Sequence, residues 1–141
     1  MGCCGREFKD KLSVAKGIEK NTLEFDRHKD KLRAFMDRSK DLRESGICRN
    51  LVYDVRRDMV YCPLHPDINQ GKDLRVDHHF CDIMHVCRGA FLFEHWDDTM
   101  KNDFIKFLKV KKKKGALDWY AYSLGMADGS LVDEFEGLKW D

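Results

Sequence analysis

The sequence predicts a mostly α domain with one small β-hairpin, an α+β arrangement in which a bound metal stabilises a compact helical fold. Three observations lead there. Apolar residues recur at steps of three and four through most of the chain. Two β-prone runs flank a short polar stretch near residue 55. Six Cys and six His occur in a chain that holds only two Pro.

At 141 residues the chain is one domain's worth, 1–141 read as a single unit, and can bury roughly two-thirds of its extended surface. Its 43% hydrophobic and 36% charged content separates it from disordered and fibrous chains. No run approaches the roughly 20 apolar residues of a membrane span, and no signal-peptide core follows Met1, which points to the cytoplasm. The 26 Lys and Arg against 25 Asp and Glu leave a formal charge of +1, so the chain as a whole carries no polyanion-binding signal.

Residues 6–45 read as helix, with Phe8, Leu12, Ala15, Ile18, Thr22, Phe25, Leu32, Phe35 and Met36 in the apolar stripe. Gly17 weakens the middle, and Asn21 with Glu24 has the spacing of a capping box, so two helices joined near 17–21 compete with one long helix. Ser45-Gly46 supplies the stop. The stripe is expected to pack on its own domain; a homo-oligomer formed through this N-terminal helix is the alternative. Residues 47–62 change character: Ile47 to Tyr53 and Met59 to Cys62 read as a hairpin around Asp54 to Asp58. Residues 63–77 hold both prolines and read as loop. Asp77 or Asp82 is then expected to cap a helix through Trp96, with Phe80, Met84, Cys87, Phe91 and His95 along one face. Further helices are expected from Thr99 to Lys109 or beyond, with Met100, Phe104, Phe107 and Leu108 inward, from Leu117 to Met126, and from Ser130 onward.

The chemistry is concentrated between residues 48 and 87. Cys48, Cys62, Cys81 and Cys87 lie there with His65, His78, His79 and His85 among them. Thiolate and imidazole are the donors zinc prefers, usually four to a tetrahedral structural site. In Cys62-Pro63-Leu64-His65, a two-residue gap containing proline allows a tight turn to aim both side chains at one ion. Cys81 and His85, four positions apart, sit about 40° from each other around a helix. Together these read C-x2-H-x15-C-x3-H. A second set is all thiolate: a hairpin turning near Val55-Arg56 would bring Cys48 beside Cys62, with Cys81 and Cys87 completing it. Arg49, Arg56, Arg57 and Arg88 would soften its negative charge.

Buried inert thiols and disulfides compete with a metal, but four Cys clustered among four His favour metal, and disulfides belong to exported chains. Zinc leads, with an iron–sulfur cluster as the alternative cofactor, since the spacings match no ferredoxin run. The likeness to zinc-ribbon and zinc-finger modules is one of ligand type only, because their paired C-x2-C spacings are missing. No H-E-x-x-H or nucleophile elbow is present, so a structural site in a non-enzymatic protein is expected.

Two other features bear on partners. The run Lys109, Lys111, Lys112, Lys113 and Lys114 ends an apolar-periodic helix, where cations favour the negative end of the helix dipole. A metal module beside such a strip is also the layout of a small nucleic-acid binder. Gly2, Cys3 and Cys4 offer a myristoyl and two palmitoyl acceptors, although Arg6 stands where the myristoylation signal prefers Ser or Thr. The expected function is therefore a non-catalytic, zinc-binding adaptor whose partner is a nucleic acid or a protein. An iron–sulfur or thiol redox protein and a lipid-anchored interaction protein are the alternatives.

Overall fold

Asp10 begins the first helix as the rules of capping require. Its Oδ1 accepts the Ser13 N–H at 2.9 Å and its Oδ2 accepts the Ser13 hydroxyl at 2.7 Å. The computed structural model describes residues 5–28, 30–38, 42–77 and 86–140, in two compact units, 5–77 and 86–140. In the first unit, α1 (Lys11–Arg27) is followed by the short α2 (Leu32–Asp37).

The helical stretch therefore breaks at residues 28–31, not at 17–21. The Phe25 and Phe35 rings meet edge to face at 5.1 Å, whereas ten residues of continuous helix would separate them by about 15 Å. Folding back is what brings them together. Asn21 is no cap: it lies inside α1, fully buried. Gly17 is no hinge either. A Cβ there would stand 2.9 Å from Ile47 Cγ2 and 3.1 Å from Ser45 Oγ, so glycine lets the segment around Ile47 lie against the helix.

That segment is tied on both sides. Arg43 N–H donates to the Ile47 carbonyl at 2.9 Å, and Lys9 N–H donates to the Ser45 carbonyl at 3.0 Å. The hairpin follows as β1 (Val52–Asp54) and β2 (Met59–Tyr61), antiparallel, with Val52 opposite Tyr61 and Asp54 opposite Met59. It is shorter than the β-prone runs. Asp54 Oδ1 accepts the Arg56 N–H at 2.9 Å, and the Tyr53 hydroxyl donates to Asp58 Oδ1 at 2.6 Å, which fixes the turn without an Asn-Gly pair. The core of this unit gathers Val14, Ile18, Phe35, Ile47, Val52 and Leu64. Each such side chain contributes on the order of 2 kcal/mol by leaving water. Of the N-terminal stripe, Ile18, Phe35 and Met36 are buried in this unit, whereas Leu12 is 63% exposed.

In the second unit, α3 (Arg88–His95), α4 (Asp98–Lys113), α5 (Trp119–Asp128) and α6 (Ser130–Trp140) follow in order. Asp97 and Asp118 cap α4 and α5, accepting the N–H groups of Met100 and Ala121 at 2.8 Å each. A helix running from residue 77 or 82 through Trp96 is not what forms. Leu74–Asp77 is a single 3-10 turn, and the backbone is extended at Cys87, immediately before α3.

The later start re-phases the inward face. Phe80 and Met84 lie outside the described residues. Phe91 is 53% exposed and stacks on His95 at 4.3 Å, while Leu92, Phe93 and Trp96 turn to the core. The reason is Gly89, whose absent Cβ would lie 2.5 Å from the Met126 carbonyl oxygen; the Gly89 face of α3 must meet α5. The core itself is aromatic. Trp96–Phe104, Phe104–Phe135 and Trp96–Phe135 ring centroids lie 5.3, 5.2 and 5.4 Å apart, over Met126, Leu131 and Val132.

Candidate metal site

β2 ends at Tyr61, and the chain then turns through Cys62-Pro63-Leu64-His65. The His65 N–H donates to the Cys62 carbonyl at 3.1 Å, which closes the turn and holds the two donor residues at its ends. Pro63 sets the φ of the second position, and Leu64, completely buried, anchors the third. Leu74 N–H reaches the Leu64 carbonyl at 3.1 Å, and Asn69 Nδ2 donates to the carbonyls of Pro63 and His65 at 2.8 and 2.9 Å. The turn is thereby fastened to the loop that follows it.

The His65 ring is set from its Nδ1 side. Asp67 presents its N–H at 3.2 Å and its Oδ2 at 3.5 Å to that nitrogen. Burial, with the Arg75 charge nearby, lowers the His65 pKa from its ordinary value, so the ring favours the neutral form. Because the Asp67 N–H donates to Nδ1, the neutral ring keeps its proton on Nε2, and Nδ1 is the nitrogen that carries the lone pair. Arg75 is itself held by Asp73: its Nε donates to Oδ1 at 2.8 Å and its NH2 to Oδ2 at 2.7 Å. That contact keeps the Asp73 carboxyl at about 2.

Cys48 sits in a different turn, closed by Leu51 N–H to the Cys48 carbonyl at 3.3 Å. The Asn50 N–H donates to Cys48 Sγ, 3.4 Å away. The hairpin turns about Arg56-Arg57, so Cys62 follows the last ladder pair while Cys48 lies four residues before it. Cys48 and Cys62 are therefore not cross-strand partners. Cys87 belongs to the second unit, where it precedes α3 and packs against the aromatic core. Cys81 and His85, like Gly2, Cys3 and Cys4, lie outside the described residues. Cys48, Cys62 and Cys87 are thiols, not disulfides. Among the described residues no three or more His, Cys, Asp and Glu side chains converge on one point.

The lysine run divides. Lys111 Nζ is bound to both Glu134 carboxylate oxygens at 2.7 and 2.6 Å and lies 5.5 Å over the Phe107 ring. Lys109, Lys112, Lys113 and Lys114 are exposed at the end of α4.

Sequence reasoning missed the polar group that holds Cys48's turn. Asn21 Nδ2 donates to the carbonyls of Cys48 and Leu51 at 2.9 and 2.8 Å, and its Oδ1 accepts Arg43 Nε at 2.9 Å. Arg43 and Arg38 both donate to Glu24 Oε2, at 2.7 and 2.6 Å. Arg38 also donates to the carbonyls of Phe35 and Arg49, and stacks 3.8 Å over the Phe35 ring. Burial alone would raise the Glu24 pKa, but the two arginine hydrogen bonds more than offset it, and the net shift is downward. The signal was there as a polar Asn on an otherwise apolar stripe.

Among the described residues no helix is long and apolar enough to cross a membrane. No protein-family model matches the chain, and neither a curated protein nor a solved structure does.

Proposed function

We propose that the chain is a non-catalytic zinc-binding module whose metal fastens the turn after the hairpin and leaves the surface for a partner. The closed Cys62–His65 turn carries the reading. It fixes a thiol and an imidazole at the two ends of a four-residue bend, with His65 favoured neutral and Asp67 at its Nδ1. Soft sulfur with imidazole nitrogen is the donor mixture of closed structural zinc sites. Cys81, which the sequence pairs with this turn and which lies outside the described residues, is the further thiolate of the proposed set. Because such donors converge only in the folded state, metal binding would add folding free energy directly. A reducing, cytoplasmic setting suits a site built on thiolates.

The test is elemental analysis and visible absorption of protein purified without oxygen. About one zinc per chain, no colour, and loss of that zinc in Cys62→Ser and His65→Ala support the module. Iron with sulfide and a brown chromophore replaces it with the iron–sulfur alternative. A metal-free chain that unfolds no more easily after chelation removes metal from the account.

A further inference from the structure

We propose that the outward face of α4 is a docking surface for the phosphate backbone of a nucleic acid. This names the partner for the binding role proposed above, yet it rests on the other unit, so the two readings fail separately. Between Asp103 and Asp118 the chain has no acidic residue and six lysines, although its formal charge is only +1. The helix sorts them. At 100° per residue, Lys106, Lys109 and Lys113 share one face, with Lys112 at its edge, and all four are exposed. Lys111 is drawn aside by Glu134, and Lys106 touches Asp103 at 3.3 Å. Lys109, Lys112, Lys113 and Lys114 have no ion-pair partner among the described residues. Of the acids of α6, Glu134 is engaged by Lys111 and Asp133 by Arg88.

The opposite side of α4 explains why the partner is nucleic acid rather than a lipid surface. An interfacial helix turns its apolar face to the bilayer. On α4 that face, Met100, Phe104, Phe107 and Leu108, is already packed in the aromatic core. From residue 105 onward what remains outward is lysine with Ile105 and Val110, whereas Asp98 and Asn102 lie on that side nearer the helix start. From Lys106 to Lys113 the lysine row covers about 10 Å of helix axis. A duplex presents about one negative charge per 1.7 Å of its own axis, enough to meet every lysine in the row.

The experiment measures binding of the full chain to a fluorescently labelled mixed-sequence DNA duplex across a salt series. Three or four neutralised phosphates predict a log–log slope of about −3 to −4. Lys109→Glu with Lys113→Glu should weaken binding by about tenfold or more and remove about two from the slope, with the unfolding midpoint unchanged. Lys111→Gln should do the reverse, lowering stability and leaving the slope intact. Binding that ignores salt, a double variant that binds as the parent does, or binding to anionic vesicles without binding to duplex would each overturn the proposal. A chain that proves metal-free but still shows the lysine-dependent slope would sink the zinc reading and leave this one standing.

Discussion

The two units are held together by different physics. Residues 86–140 rest on interlocking rings around Phe104, with capped helices whose periodicity leads directly to the core. Residues 5–77 have little regular structure after α2, and their irregular chain is organised by directional contacts. Asn21 and Arg38 hold backbone carbonyls of the 48–51 turn, and Glu24 holds Arg38 and Arg43. An aromatic core tolerates shape changes in proportion to volume lost. A buried polar network fails as a unit when one member is removed, because its partners are left desolvated and unpaired.

The largest effect should come from the apolar side of this comparison. Phe104→Ala removes the ring at the centre of the cluster and is expected to cost about 3–5 kcal/mol in denaturant unfolding. A loss under about 1 kcal/mol would mean that the core collapses around the gap instead of depending on that ring.

Glu24→Gln probes the polar side. Arg38 and Arg43 are buried, with side chains 11% and 9% exposed, and would lose their shared carboxylate; the expected cost is about 3 kcal/mol at neutral pH. The Glu24 pKa is lowered in the folded chain, so its stabilisation is complete above the ordinary carboxylate range. It is lost as pH falls through the depressed value. The variant should accordingly show a flatter acid limb than the parent, and parallel stability–pH curves would show that Glu24 does not carry the network.

Gly17→Ala is the finer instrument. In a helix exposed to water the change would gain about 1 kcal/mol. Here the new methyl meets the buried Ile47, whose Cγ2 cannot swing away, and a net loss of about 1 kcal/mol is expected. A gain would show that the Ile47 segment is not held against α1.

These contrasts also explain what could be read in advance. The helices of residues 97–140, with Met100, Phe104, Phe107 and Leu108 inward, follow from local periodicity and Asp caps. So do the hairpin's place and the Cys62–His65 turn, which depend on neighbours in sequence. Gly17 and Asn21 were misread as helix-breaking signals because their purpose is tertiary: one admits Ile47, the other holds carbonyls 27 and 30 residues away. The break between Arg27 and Leu32 has no Pro or Gly in its sequence; the Phe25–Phe35 contact and the Arg38–Glu24 ion pair, both made across it, account for it. For α3, the expected caps Asp77 and Asp82 precede the observed cap Cys87 by ten and five residues, and the stripe drawn from them puts the exposed Phe91 inside. The candidate donors are legible as residue types, but whether such donors meet is decided by long-range folding that spacing alone does not contain, and among the described residues no three of them converge.

The proposed zinc would make residues 5–77, unlike 86–140, dependent on a metal held at Cys62 and His65. Amide hydrogen exchange of the oxygen-free protein, with and without a zinc chelator, tests it most directly. The account predicts that chelation strips protection from the Val52–Tyr61 ladder and the His65 amide, that zinc restores it, and that the α4 and α6 amides change far less. Equal protection of the ladder in both conditions would contradict it.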